Sequence, residues 1–157
     1  MRTTHNFDIE AYLPEPHKTI YELGVANGLR VGDIVKLKKS ILKVQKPTIH
    51  EEKTGKSKRL YIPVKTRKKL IYYANESQNE FIFYSAKSKE GHITRQAVFK
   101  AFKKSAKTAG VPDNINVATH TMRKNYAYKD FCKNKNLNKL QGKMNHHDIG
   151  ETALYLI

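Results

Sequence analysis

The stretch His120-Thr121-Met122-Arg123-Lys124-Asn125, followed by Met144-Asn145-His146-His147-Asp148 and then by Tyr155, decides how this chain is read. Its first part opens a helix expected over about 120–133, on which His120 and Arg123, three residues apart, share a face. A His/Arg pair at that spacing arises by chance in a basic protein and carries little alone. Order and distance add the weight. Upstream stand Gly28-Leu29-Arg30-Val31-Gly32-Asp33 and the turn Lys53-Thr54-Gly55-Lys56, and downstream Tyr155 lies nine residues after His146.

The apolar period around these motifs is mostly helical. Ile20, Leu23 and Asn27 lie near one face before the stop at Asn27-Gly28, and Ala97, Val98, Ala101, Phe102, Ala106 and Ala109 form a stripe ending at Gly110. Further helices are expected at about 30–37, 65–76, 137–144 and 150–156. Between them, Ser40–Lys43, Thr48–Glu51 and Arg59–Val64 are short runs of β-branched or aromatic residues, parted by turn signals at Lys46-Pro47 and Thr54-Gly55. They predict a three-stranded antiparallel sheet. The fold class is α+β, mainly α, in one domain over 1–157 with no repeat and no low-complexity linker.

Charge points to the partner. The 157 residues hold 30 Lys and Arg against 14 Asp and Glu, a formal net charge of +16, which costs self-repulsion in the compact state and calls for a polyanion. Residues 36–69 hold 13 of those cations against only Glu51 and Glu52, so this stretch is expected to face phosphate through Lys56, Lys58, Lys65, Arg67, Lys68 and Lys69. No segment approaches the ~20 apolar residues of a membrane span, and no basic amphipathic helix stands alone. Nucleic acid is therefore favoured over a lipid surface. Met1–Asn6 lacks the apolar region of a secretory signal, and Cys132 has no second cysteine to pair with. A cytoplasmic protein is expected, with Cys132 a buried or inert structural cysteine rather than a nucleophile.

The chemistry of the candidate residues fits phosphodiester cleavage. A pentavalent phosphoryl transition state carries roughly two negative charges on its non-bridging oxygens, so it asks for preorganised cations and donors. Arg30 and Arg123 suit this, because a guanidinium is a planar fork of donors that stays charged at any working pH. Asp33, three residues after Arg30, could orient it from the same face. His120 and His146 are candidates for proton transfer and hydrogen bonding, since an imidazole titrates near working pH. A metal site at His146, His147 and Asp148 is disfavoured by adjacent rather than i,i+4 ligands.

Taken jointly, Ala26-Asn27-Gly28-Leu29-Arg30, Lys53-Thr54-Gly55-Lys56, His120-Thr121-Met122-Arg123-Lys124-Asn125 and Met144-Asn145-His146 with Tyr155 resemble the tyrosine recombinase (phage integrase) family. The matching stretch runs from about Tyr21 to Tyr155. The resemblance implies a helical catalytic fold and site-specific DNA recombination, integration or excision, through a 3′-phosphotyrosine intermediate. Tyr155, one of nine tyrosines, is then the nucleophile, and its phenol ester conserves the energy of the broken bond. The resemblance also implies that His120 helps to accept the nucleophile's proton and that His146 donates to a non-bridging oxygen. It places the general acid at Lys53, the first lysine of the Lys-Thr-Gly turn, with Lys56 as runner-up. His147, where the family has a small polar residue, is a bystander.

Departures are Asn145 for the more usual glycine, Lys124 where many members have histidine, and a chain ending two residues after Tyr155. The resemblance further implies the catalytic domain without an N-terminal core-binding domain, and double-stranded DNA at attachment-type sites as partner. It implies a tetramer on DNA when full length, a location with the nucleoid, and no metal or nucleotide cofactor. The rivals are type IB topoisomerase activity, a DNA-binding module that has lost catalysis and a plain basic RNA-binding protein.

Overall fold

Seven α-helices carry the chain in the computed structural model, which describes residues 7–156: α1 (His17–Asn27), α2 (Val31–Val35), α3 (Val64–Glu76), α4 (Arg95–Thr108), α5 (Thr121–Asn134), α6 (Leu137–Met144) and α7 (Ile149–Leu154). Strands β1 (Thr48–His50) and β2 (Ser57–Arg59) pair antiparallel between α2 and α3, with Ile49 opposite Lys58. Met1–Asn6, read as carrying no secretory signal, and Ile157 lie outside the described residues. Among those described, no helix is long and apolar enough to cross a membrane.

Helix α1 is the axis of the core. Ile20 and Leu23 are fully buried, and Tyr21 meets the ring of Phe102 on α4 edge-on at 5.6 Å. Its other face packs on α5 with Gly24 at the contact, where an added Cβ would stand 2.7 Å from Met122 Cβ. Asn125 on α5 donates to the Tyr21 hydroxyl at 2.8 Å. The helix ends at Gly28, whose φ of +67° favours glycine. This close approach sets the α1–α2 turn, with Arg30, directly against the helix that carries Arg123. A smaller apolar cluster of Ala127, Leu140 and Met144 joins α5 to α6, and Tyr155 packs against it. Side-chain caps start the last two helices: Asn136 accepts from Lys139 N and Asp148 from Glu151 N.

The three-stranded sheet is corrected to two strands. Lys39–Lys43 forms a 3-10 helix instead, and the carbonyls of Leu42, Val44 and Gln45 accept from the Arg67 guanidinium rather than from a neighbouring strand. The run after Arg59 leaves the ladder because Asn27 takes the neighbour's place. Its side chain accepts from Tyr61 N at 2.7 Å and donates to Tyr61 O at 2.9 Å. Cys132, expected to be buried or inert, is exposed on α5, because the buried residues of that helix, Thr121, Met122, Arg123, Asn125 and Ala127, lie in its first half.

Candidate active site

Arg30 stands at the start of α2 in extended backbone, its carbonyl accepting from Asp33 N and Ile34 N. Its side chain is 14% exposed and pairs through Nη1 with Glu51 Oε2 at 2.6 Å. Asp33 could orient Arg30 by its spacing, but the carboxylate hydrogen-bonded to Arg30 is that of Glu51. Asp33 Oδ1 accepts from Glu52 N at 3.1 Å, which pins the hairpin turn just before Lys53, while burial raises the Asp33 pKa.

Arg123 is fully buried. Nη1 donates to Gly28 O, the carbonyl that α1 leaves at its end, and Nη2 lies 3.4 Å from Met144 O and 3.2 Å from His146 Nε2. Its Nε has no partner among the described residues. Burial, and next the charge of Arg30, lower its pKa. A guanidinium still remains the charged form at working pH.

The two histidines differ. His146 is 3% exposed, and burial first, with the charges of Arg123 and Arg30, lowers its pKa to about 4. The ring is therefore neutral near pH 7. Nε2 faces an Arg123 donor, so it accepts, and Nδ1–H donates to Thr152 Oγ1 at 2.9 Å. His120 is exposed at the N-cap of α5. Its pKa is lowered by partial burial and then by Arg123, Arg30, Arg95 and Lys53. That leaves it free to take a proton.

Tyr155 closes α7 between these groups. Its hydroxyl lies 3.3 Å from His120 Nδ1, its ring centroid 4.9 Å from that of His146, and Arg123 Cζ 5.5 Å from the ring centre. The fold therefore brings Arg30, His120, Arg123, His146 and Tyr155 to one place. A cavity of about 610 Å³ is lined by Arg30 and His120 of this set and by Lys53, Thr94 and Arg95.

The remaining lysines separate by environment. Lys53 and Lys56 are exposed in the turn between β1 and β2. Lys58 is half-buried: its Nζ donates to Lys143 O at 3.0 Å, lies 5.5 Å from the Tyr126 ring centre, and has its pKa pulled down to about 8, chiefly by burial. On α3, Lys65 and Lys68 are exposed. Arg67 is committed to backbone carbonyls, and Lys69 pairs with Glu15 at 2.8 Å and Glu22 at 3.0 Å. His147 is exposed and Asp148 caps α7, so with His146 they do not converge.

Three residues were not found from sequence. Glu51 reads in sequence only as one of two adjacent acids in a basic run, although acids set among so many cations are themselves a signal of pairing. Thr152 and Arg95 carry no such mark.

The family model described as the phage integrase family matches residues 2–156. The probable integrase/recombinase YoeC of Bacillus subtilis (strain 168) is 25% identical over 154 residues, covering 95% of this chain and 83% of that protein. Tyrosine recombinase XerD of Listeria innocua is 28% identical over 148 residues, covering 88% of this chain and 48% of its own length. Among solved structures, a lambda integrase (75–356) dimer bound to a COC′ core site superposes with a TM-score of 0.71 at 19% identity, over 94% of this chain and 55% of that one. XerH bound to a palindromic difH substrate, in a post-cleavage complex, gives 0.72 at 17% identity, over 89% of this chain and 41% of that one. The chain thus spans about half the length of XerD and of these solved chains, which share its fold.

Proposed function

Since the chain belongs to the phage integrase family, we propose that it is a tyrosine recombinase, breaking and rejoining DNA at specific sites through a 3′-phosphotyrosine intermediate. The observation that carries this reading is the meeting of the Tyr155 hydroxyl with His120 Nδ1 at 3.3 Å, beside the buried guanidinium of Arg123.

Tyr155 Oη attacks the scissile phosphorus as its proton passes to His120. The bond to the 5′-oxygen breaks, and that oxygen takes a proton from Lys53, leaving a free 5′-hydroxyl. Arg30 and Arg123 hold the non-bridging oxygens, where charge builds in the transition state. The unpartnered Nε of Arg123 supports this role, because a buried donor without an acceptor is costly until a substrate oxygen arrives. His146 joins them in its Nε2–H form. The Thr152 hydroxyl serves either tautomer, since it both donates and accepts. Rejoining reverses the steps, with the 5′-hydroxyl of a partner strand as the attacking group.

Residues 1–157 act as one catalytic domain. Its partner is duplex DNA at attachment-type sites, bound by a tetramer in strand exchange, in the cytoplasm with the nucleoid. A nicked suicide substrate, resolved on a denaturing gel, tests the chemistry. A covalent band is expected with the natural sequence in excess chelator and none with Tyr155→Phe. An adduct from Tyr155→Phe overturns the mechanism, and relaxation of supercoils without transfer between duplexes replaces recombination with a topoisomerase reading.

A further inference from the structure

Asn145, just before His146, sits at φ +54° and has a partner across the site. Its Nδ2 donates to Glu51 Oε1 at 2.9 Å. The other oxygen, Oε2, accepts from Arg30 Nη1 at 2.6 Å and from Thr54 Oγ1 at 3.4 Å. Glu51 is 1% exposed. A carboxylate so deep is unfavourable unless each oxygen is paired and hydrogen-bonded, and both are. Donors from three separate segments converge on it: the start of α2, the turn that carries Lys53, and the turn that delivers His146.

The geometry also divides the work of Arg30. Nη1 is spent on the carboxylate, while the side chain also lines the cavity shared with Lys53 and His120. A long side chain in a cluster of like charges, with Arg123 and Lys58 nearby, would otherwise sample many rotamers and drift from its neighbours. Resting on the reading of Arg30 as a phosphate clamp, we propose that Glu51 is a positioning residue for strand cleavage, holding the Arg30 fork in its working orientation and anchored in turn by Asn145. Asn145 tolerates the left-handed turn and adds this tie.

Glu51→Gln tests it, because the amide keeps the size but has one acceptor atom instead of two and no charge. Duplex affinity is expected to hold or rise, since a negative charge is removed near phosphate. The rate of adduct formation is expected to fall about 10–100-fold, the scale of a small misplacement of a reacting group. In an Arg30→Ala background the same substitution should cost under about twofold, because its route of action is gone. Asn145→Gly keeps the turn unstrained and the Glu51 charge in place, and should lower the rate of adduct formation while the protein still folds, which covers the case in which Glu51→Gln folds poorly.

A second readout needs no cleavage. Guanidinium ¹⁵N resonances of the free protein should show hindered Nη rotation for Arg30 in the natural sequence and free rotation in Glu51→Gln. If the natural sequence forms no adduct, the recombinase reading fails and this measurement still decides the role of Glu51. An unchanged Arg30 signal, a normal rate for Glu51→Gln, or an equal cost in the Arg30→Ala background overturns the proposal.

Discussion

Replacing Thr152 by valine removes one oxygen and nothing of the shape, and the structure says what that oxygen holds. Thr152 is fully buried, and its Oγ1 lies 2.9 Å from Nδ1 of His146, itself 3% exposed. Valine leaves the imidazole N–H buried without an acceptor, a loss of about 1–3 kcal/mol, with no cavity to add to it. For a domain of this size each kcal/mol is worth about 2–4 °C in melting temperature. Thr152→Ser keeps the hydroxyl and loses a methyl, which costs about 0.5–1.5 kcal/mol. The assay is urea denaturation of the two variants at pH 7, paired with the rate of covalent adduct formation. Thr152→Val should lower both stability and rate, since the ring also loses the bond that fixes its orientation, while Thr152→Ser keeps most of the rate. A Thr152→Val protein as stable and as active as the natural one, with Thr152→Ser the weaker, would refute the assignment of the hydroxyl.

Because burial holds the folded His146 near 4 against an ordinary 6.5, the unfolded chain binds this proton first. Its contribution to stability is full above about pH 6.5 and lost as pH falls through about 4, and denaturation of His146→Gln across that range should lack this component. A substrate with sulfur in place of the bridging 5′-oxygen, whose leaving group hardly needs an acid, should rescue cleavage by Lys53→Ala but not by Arg30→Ala; rescue of Lys56→Ala instead would move the acid to Lys56. On α3, loss of Lys65 or Lys68 should flatten the slope of log K against log salt by about 0.9 for each phosphate contact removed, whereas Arg67→Ala should cost stability through the carbonyls it holds. Gly24→Ala should destabilise by about 1–3 kcal/mol by overpacking against Met122. Equal stability of that variant by thermal melting would mean that α1 and α5 can separate without loss.

Much of the architecture was legible along the chain, because helices announce themselves locally. The apolar stripe from Ala97 to Ala109 marks α4, and the Asn27-Gly28 stop marks the end of α1. The five expected helices at 30–37, 65–76, 120–133, 137–144 and 150–156 lie within a few residues of those observed. Strands are less local. Ser40–Lys43 has strand-like composition, yet its neighbourhood offers an Arg67 side chain rather than a third ladder, and a 3-10 turn results. A cysteine beside a phenylalanine reads as buried or inert, and which side of α5 faces α1 is set by packing, which leaves Cys132 exposed.

Residue type and spacing made Arg30, His120, Arg123 and His146 candidates, since phosphoryl chemistry restricts which side chains can serve, and the family resemblance carried by the order of motifs joined Tyr155 to them. Tertiary structure alone decided how they are held. Glu51 reaches Asn145 across 94 positions and Arg30 across 21, and Arg123 meets the carbonyl of Gly28 across 95. No local pattern records such pairs. A buried charge is stable only where distant segments bring it partners, so its role is written in the folded contacts and not in its neighbours along the chain.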